Sequence, residues 1–182
     1  ADGIAASLLE KYPELPSLYL LQGETKILLN QLLPAKNALS KGLELANVST
    51  PLSQFKAEAL NQLKKNKEAI ETLNMALDYD PYNPDLIYTY GSLEEIRGNY
   101  LEVIESYQKY IELKPNDPKG YIALSKLYKN INLPESAVET LSKLLEIDPN
   151  NTKAKTLLKN LIDDPNLNIS SKEYKRLKTL SK

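Results

Sequence analysis

Apolar residues recur along this 182-residue chain with a short spacing of four residues and a long spacing of thirty-four. Large apolar residues stand four positions apart, as on the buried face of an α-helix, and each position returns after one long spacing. Small residues follow the same long period. The pattern predicts a series of similar helices, in which small residues let two backbones approach and leucines fill the space between them. The large residues are Leu39, Leu73, Tyr107 and Leu141, then Leu43, Leu77, Ile111 and Leu145; the small ones are Ala35, Ala69, Val103 and Ala137, then Gly23, Ala57, Gly91 and Ser125.

Prolines and turn-forming residues mark where the predicted helices end. Pro81, Pro115 and Pro149 close successive segments one long period apart, and Pro13 keeps the same phase near the start of the chain. Between the two helices of each repeat lies a predicted turn residue, and these turn residues recur with the same period. Glycine and asparagine tolerate the left-handed backbone that closes a helix, so each repeat is predicted to be a helix, a tight turn, a second helix and a proline stop. The predicted turn residues are Asn30, Lys64, Gly98 and Asn132.

The repeat resembles the tetratricopeptide repeat (TPR) family, whose repeat of about 34 residues has a small residue in the first helix, alanine in the second and proline at its close. The stretch YGSLEEIRGNYLEVIESYQKYIELKP, residues 90–115, carries the resemblance most fully. Lys56 and Gln22 depart from it, because the family usually has a large apolar residue there, and Val103 stands where alanine is usual. The resemblance implies an all-α fold, a right-handed superhelical array (solenoid) of antiparallel helix pairs.

In this register the chain divides into six parts. Residues 1–15 supply the second helix of a truncated preceding repeat, beginning near Asp2, and we expect the chain to be cut from a longer array rather than to start with a dedicated cap. Ser170 and Glu173 stand at capping-box spacing and predict the start of a last helix that closes the array. The other parts are a weak repeat at 16–49, clear repeats at 50–83, 84–117 and 118–151, and a partial repeat with a basic capping helix at 152–182.

Charge is unevenly distributed along the chain. The formal net charge is −1, but residues 152–182 carry eight Lys and Arg against three Asp and Glu, which leaves the preceding residues net negative. The basic residues of the last predicted helix form a patch for an acidic partner, an anionic membrane or RNA, or they solvate a capping helix. We favour the second interpretation. These residues are Lys172, Lys175, Arg176 and Lys178.

The residue types that are missing exclude several classes of function. The chain has no Cys and no His, which excludes a disulfide framework, zinc sites with thiolate or imidazole ligands, and catalytic triads built on an imidazole base. It has no phosphate-binding glycine loop and no apolar run long enough to span a bilayer, so we expect a soluble protein. Glu94 and Glu95 are adjacent on a helix, so their side chains diverge and do not easily form an acid and base pair. We therefore predict no catalytic residue, no cofactor and no metal site.

The near-neutral net charge also argues against a dedicated nucleic-acid-binding protein. Twelve tyrosines would suit the stacking of bases, but most of them fall at repeat seams, where core packing is the better interpretation. The clearest examples are Tyr107, Tyr110, Tyr121 and Tyr128.

A binding surface follows from the resemblance and not from the periodicity. In TPR proteins the first helix of each pair lines the concave side of the array, so residues at those positions are candidates for binding a segment of another protein. Acidic residues give way to basic ones along this set, with Tyr88 and Ile122 as apolar anchors, so the groove would prefer an extended or helical segment with the opposite charge order. The alternative is a polar face that only keeps the array soluble. The candidates are Leu20, Glu24, Ile27, Gln54, Glu58, Asn61, Asp85, Tyr88, Ser92, Glu95, Lys119, Ile122, Lys126 and Lys129.

One known use of the fold can be tested on the sequence. TPR proteins that hold the acidic carboxyl terminus of heat-shock chaperones use a two-carboxylate clamp of Lys and Asn on one first helix, Asn on the next, and Lys and Arg on the third. No starting repeat supplies this set, so the chaperone clamp is not expected here. A clamp that began in the second repeat would fall on Gln54, Glu58, Thr89, Lys119 and Ala123.

We predict a protein-interaction scaffold without catalytic activity. Two alternatives stay open: a self-assembling homo-oligomer joined through its terminal helices, and an accessory region of a larger multidomain protein. No signal peptide or retention motif is visible, but the chain begins inside a repeat, so a leader could have been removed. The compartment therefore stays open, with only a weak preference for the cytoplasm. The identity of the partner is not encoded in a recognisable motif.

Overall fold

The computed structural model describes residues 2–46, 49–163, 167 and 170–181. These residues form eleven α-helices and no strand, which confirms the predicted all-α fold. The helices are α1 (Asp2–Lys11), α2 (Pro16–Leu28), α3 (Leu32–Ala46), α4 (Thr50–Gln62), α5 (Asn66–Tyr79), α6 (Pro84–Arg97), α7 (Tyr100–Leu113), α8 (Pro118–Asn130), α9 (Pro134–Ile147), α10 (Thr152–Ile162) and α11 (Ser171–Leu180).

The starts of the helices keep the period of the sequence. The first helices of the repeats, α2, α4, α6, α8 and α10, begin at residues 16, 50, 84, 118 and 152. The second helices, α3, α5, α7 and α9, begin at residues 32, 66, 100 and 134, so both series advance by the same long spacing. α11 begins three residues later than the next step of that series. At the other end α1 includes Asp2, so this residue lies within the helix rather than ahead of it.

All four residues that were predicted to close the first helices have a positive φ. In the first of these turns the N–H of Asn30 donates to the carbonyl of Ile27, and the N–H of Gln31 donates to the carbonyl of Lys26. The same two bonds recur at the second and fourth turns. This Schellman arrangement satisfies carbonyls that the end of a helix would otherwise leave without donors. The φ angles are 56° at Asn30, 63° at Lys64, 81° at Gly98 and 61° at Asn132.

Polar side chains fix where the last helices begin. Asn151 Oδ1 accepts a hydrogen bond from the N–H of Ala154 at 3.0 Å. Ser170 Oγ accepts one from the N–H of Glu173 at 3.2 Å, which confirms the predicted start of the final helix.

The chain forms two compact units, Ala1–Arg97 and Gly98–Lys182. In the first unit, which holds α1 to α6, each helix packs against the next, and α2, α4 and α6 also pack side by side. In the second unit α7 packs on α8, α8 on α9 and α9 on α10, and α11 lies against α9 and α10.

Small residues lie at close helix contacts in both units, as predicted. Gly23 shows the constraint most clearly, because a Cβ atom added there would lie 2.4 Å from Cγ of Leu39. A side chain at this position would therefore displace Leu39 from the space between α2 and α3. In the second helices the small positions Ala35, Ala69, Val103 and Ala137 are all 0% exposed.

The two predicted sets of large apolar residues differ in burial. All four residues of the set that begins with Leu39 are buried, as predicted. In the set that begins with Leu43 only Leu145 is buried, and the other three are half-buried. Leu77 and Ile111 nevertheless pack against the core clusters of their units. Leu43 and Ile111 lie at clefts between successive second helices, whereas Leu145 belongs to a core cluster that includes Leu177 of α11.

Candidate partner-binding surface

The first helices of the first unit carry ten of the predicted binding residues. α2, α4 and α6 lie side by side, and Gln54 Nε2 donates to Thr89 Oγ1 at 3.5 Å between α4 and α6. All of the ten except Asp85 occupy equivalent positions, because they are separated by one or two repeat lengths. The structure therefore places them on adjacent helices. They are Leu20, Glu24 and Ile27 on α2, Gln54, Glu58 and Asn61 on α4, and Asp85, Tyr88, Ser92 and Glu95 on α6.

This set is acidic and also contains apolar area. Glu58 is exposed, and the carboxyl-bearing residues Glu24, Asp85 and Glu95 are half-buried. Tyr88 is half-buried as well. Carboxylates and a half-buried tyrosine on adjacent helices are complementary to a basic segment that carries an apolar side chain.

The second unit carries the basic members of the predicted set. Lys119, Lys126 and Lys129 are exposed on α8, and Ile122 is half-buried against the core cluster of this unit. Three cations on one helix are complementary to an acidic segment. The two units thus present predicted binding residues of opposite charge.

Asp117 fixes the start of α8. Its Oδ1 accepts a hydrogen bond from the N–H of Lys119 at 2.9 Å, and its Oδ2 accepts one from the hydroxyl of Tyr110 at 2.6 Å. The bond from Tyr110 lowers the pKa of Asp117 below its ordinary value, and burial opposes this effect only in part. The ionised carboxylate therefore ties α7 to the first turn of α8.

Glu94 is a buried carboxylate whose burial the sequence analysis missed. It is 2% exposed, and its Oε1 accepts a hydrogen bond from Nη1 of Arg97 at 2.8 Å. The equivalent residues one repeat away are Leu60 and Tyr128, so the repeat register did contain a signal that this position faces the core. Its ion pair with Arg97 gives the carboxylate a structural role in α6.

The four tyrosines that were predicted to pack in the core are buried or half-buried. Tyr107 and Tyr110 are fully buried, Tyr121 is buried, and Tyr128 is half-buried against the core cluster of the second unit. Core packing is therefore the correct interpretation for these four.

Part of the basic patch predicted on α11 is engaged within the second unit. Arg176 donates to Glu173 at 3.1 Å and to Glu146 of α9 at 3.3 Å, and Lys178 Nζ lies 5.4 Å from the centre of the Tyr174 ring. These contacts favour the interpretation of a capping helix. The side chain of Lys172 lies outside the described residues.

Within the part of the chain that the structure describes, no cluster of three or more Asp and Glu side chains is arranged to hold a metal ion. None of the described helices combines the length and the apolar character that crossing a membrane requires.

Two tetratricopeptide repeat models match the chain, one over residues 52–83 and the other over residues 96–161. Together they cover more than half of its length. The chain belongs to the tetratricopeptide repeat family. TPR proteins are generally non-catalytic scaffolds for protein–protein interaction. The described helices of this chain have the TPR fold.

The TPR chain is similar to a DnaJ homolog subfamily C member 3 homolog from Dictyostelium discoideum, with 36% identity over 81 residues. This match covers 44% of the chain but only 16% of the relative's length.

Solved structures share the fold at low sequence identity. TTC0263, a thermophilic TPR protein in Thermus thermophilus, superposes with a TM-score of 0.74 and 17% identity, over 88% of each chain. The first TPR of Spaghetti (RPAP3), bound to the HSP90 peptide SRMEEVD, has a TM-score of 0.60 and 19% identity, over 64% of this chain and 93% of its own.

Proposed function

We propose that this TPR chain is a non-catalytic scaffold whose first helices bind extended or helical segments of other proteins. The observation that carries the proposal is the side-by-side packing of α2, α4 and α6, which holds Tyr88 and four carboxylates in fixed positions. Helices that are already in place lose little conformational freedom when a segment binds, so more of the contact energy remains as affinity. The peptide bound to the first TPR of Spaghetti supports binding of this kind in the same fold.

The charges of the two units predict two kinds of segment. The acidic first-helix residues of the first unit would bind a basic segment with an apolar side chain at Tyr88. The lysines of α8 in the second unit would bind an acidic segment, with Ile122 as its apolar contact. Charge complementarity of this kind controls which segments bind and how fast they associate.

Selection of short random peptides from a display library, on the purified chain, tests the proposal. Tyr88→Ala should weaken the basic peptides about tenfold, and Lys126→Glu should weaken the acidic ones to a similar extent. The double variant should lose the peptides that respond to either single variant, while its helical circular dichroism is unchanged. Lys67→Glu, at a residue that is 93% exposed on α5, is the matched control and should leave binding unchanged.

Undiminished binding by the double variant would move the binding site away from the first helices. Affinity purification followed by mass spectrometry would then identify the natural partner of either site.

A further inference from the structure

A cleft of about 430 Å³ opens in the second unit between the second helices α7 and α9, above α8. Tyr121, Leu124 and Tyr128 of α8 line its floor, and Ile111 of α7 contributes to one wall. Leu124 is only 4% exposed. This second-helix cleft has a volume suited to one or two apolar side chains of a ligand.

The same cleft recurs in the first unit, where it measures about 300 Å³ and lies between α3 and α5, above α4. Leu43 and Glu44 line it at the positions equivalent to Ile111 and Glu112. The cleft is therefore a product of the repeat and not a local irregularity. The floors differ, because Lys56 occupies the position equivalent to Leu124.

Lys56 places an ammonium group in the first cleft, beside the carboxylate of Glu44. Burial lowers the pKa of this group and Lys36 lowers it further, while the attraction of Glu68 and Glu44 opposes both. The second-helix cleft has no cation on its floor, because Leu124 occupies the equivalent position.

The wall of the second-helix cleft provides a carboxylate. In the described part of the chain Glu112 forms no ion pair, and Lys143 on the opposite wall is held at 2.8 Å by Glu139 of its own helix. Of the three charged residues, two therefore neutralise each other and Glu112 is left as a negative site.

The next repeat shows how a carboxylate at this position is engaged. Glu146 is equivalent to Glu112, and Arg176 of α11 donates to it at 3.3 Å. Leu145, next to Glu146, is buried, whereas Ile111, next to Glu112, is half-exposed. The second-helix cleft thus lacks both the arginine and the cover that the following repeat has.

We propose that the second-helix cleft is a docking site for a partner protein segment that places an apolar side chain on Tyr121, Leu124 and Tyr128 and an arginine beside Glu112. Arginine fits better than lysine, because its planar guanidinium can pair with the carboxylate and stack on the ring of Tyr128 at the same time. This site lies on second helices and is separate from the first-helix residues proposed above.

The test uses the full chain with Tyr88→Ala and Lys126→Glu as bait, so that the first-helix residues do not contribute. Short random peptides displayed on phage are the probe. Selected peptides should be enriched in arginine near a leucine or aromatic residue, and their affinity should fall about tenfold in Glu112→Lys. Glu105→Lys makes the same charge change at an exposed residue of α7 outside the cleft and should leave affinity within about twofold.

Leu124→Lys places on the floor of the second-helix cleft the lysine that the first cleft has at the equivalent position. This variant should also abolish binding of the selected peptides. Lysine at the equivalent position 56 indicates that the repeat accommodates this change, and circular dichroism checks that the variant is folded. If Leu124→Lys unfolds, the exposed Glu112→Lys variant still decides the outcome.

Three results would overturn the proposal. They are a selection without arginine-containing peptides, peptides that bind Glu112→Lys as well as the bait, and a self-association of the chain in light scattering that Glu112→Lys abolishes. The last would assign the cleft to a second copy of this chain.

Discussion

Replacing Lys64 with glycine should stabilise the first unit, because this lysine has a left-handed backbone conformation with φ of 63°. The other three turns in this position have asparagine or glycine, which tolerate positive φ. The N–H groups of Lys64 and Lys65 donate to Asn61 and Leu60, and both bonds survive the substitution. The Lys64 side chain is exposed, so its removal opens no cavity.

The expected magnitude is a difference of three terms. A left-handed conformation costs an ordinary L-residue about 1–2 kcal/mol. Glycine costs about 0.5–1 kcal/mol in extra chain entropy, and removing a cation near the carboxyl end of α4 costs about 0.3 kcal/mol. The net effect is a gain of about 0.5 kcal/mol.

Lys41→Gly is the matched control. This residue is exposed in the interior of α3, in the same unit. Glycine inside a helix should destabilise by about 1 kcal/mol. Urea denaturation followed by circular dichroism should therefore separate the two Lys→Gly variants by about 1.5 kcal/mol, with opposite signs relative to the parent chain. Equal losses of stability in both variants would refute the reasoning, because they would mean that Lys64 carries no conformational penalty.

Three further predictions concern the core, the pH dependence and the specificity. Ala69→Leu should destabilise the chain by about 1–3 kcal/mol because a larger side chain overpacks a residue that is fully buried; Met75→Leu on the exposed side of the same helix should change the urea midpoint little. Because the pKa of Asp117 is lowered in the fold, its contribution to stability is present above about pH 4 and is lost as the pH falls through the lowered pKa. The difference in melting temperature between the parent and Tyr110→Phe should accordingly shrink as the pH falls below about 4, and a constant difference would contradict this assignment. The peptide SRMEEVD should bind more weakly than to the first TPR of Spaghetti in isothermal titration calorimetry, because the clamp residues are missing. Any residual binding should depend on the lysines of α8 and be lost in Lys126→Glu.

The repeat period predicted most of the fold because every repeat obeys the same local rules. The positive φ at Lys64 is an example, since lysine itself gives no turn signal and only its place in the period does. Burial of Ala69 and Leu73 follows in the same way, from helical spacing within a repeat.

Features that depend on packing between repeats were harder to predict. Ile111 has the sequence pattern of a core residue, yet it lies half-buried at a cleft because α7 and α9 do not close over it. The chemistry of Glu94 predicts an exposed side chain, whereas its position in the repeat predicts the burial that the structure has. The candidate binding residues follow from the family resemblance, and their role stays a prediction.

The rim of the cleft in the first unit carries a natural chemical reporter. Met75 is the one methionine of a chain without cysteine, it lines this cleft, and it is 74% exposed. Mild peroxide should therefore add a single oxygen atom per chain, at one known place. Mass spectrometry of that one sulfoxide would show, without any label, whether a bound protein shields this side of α5.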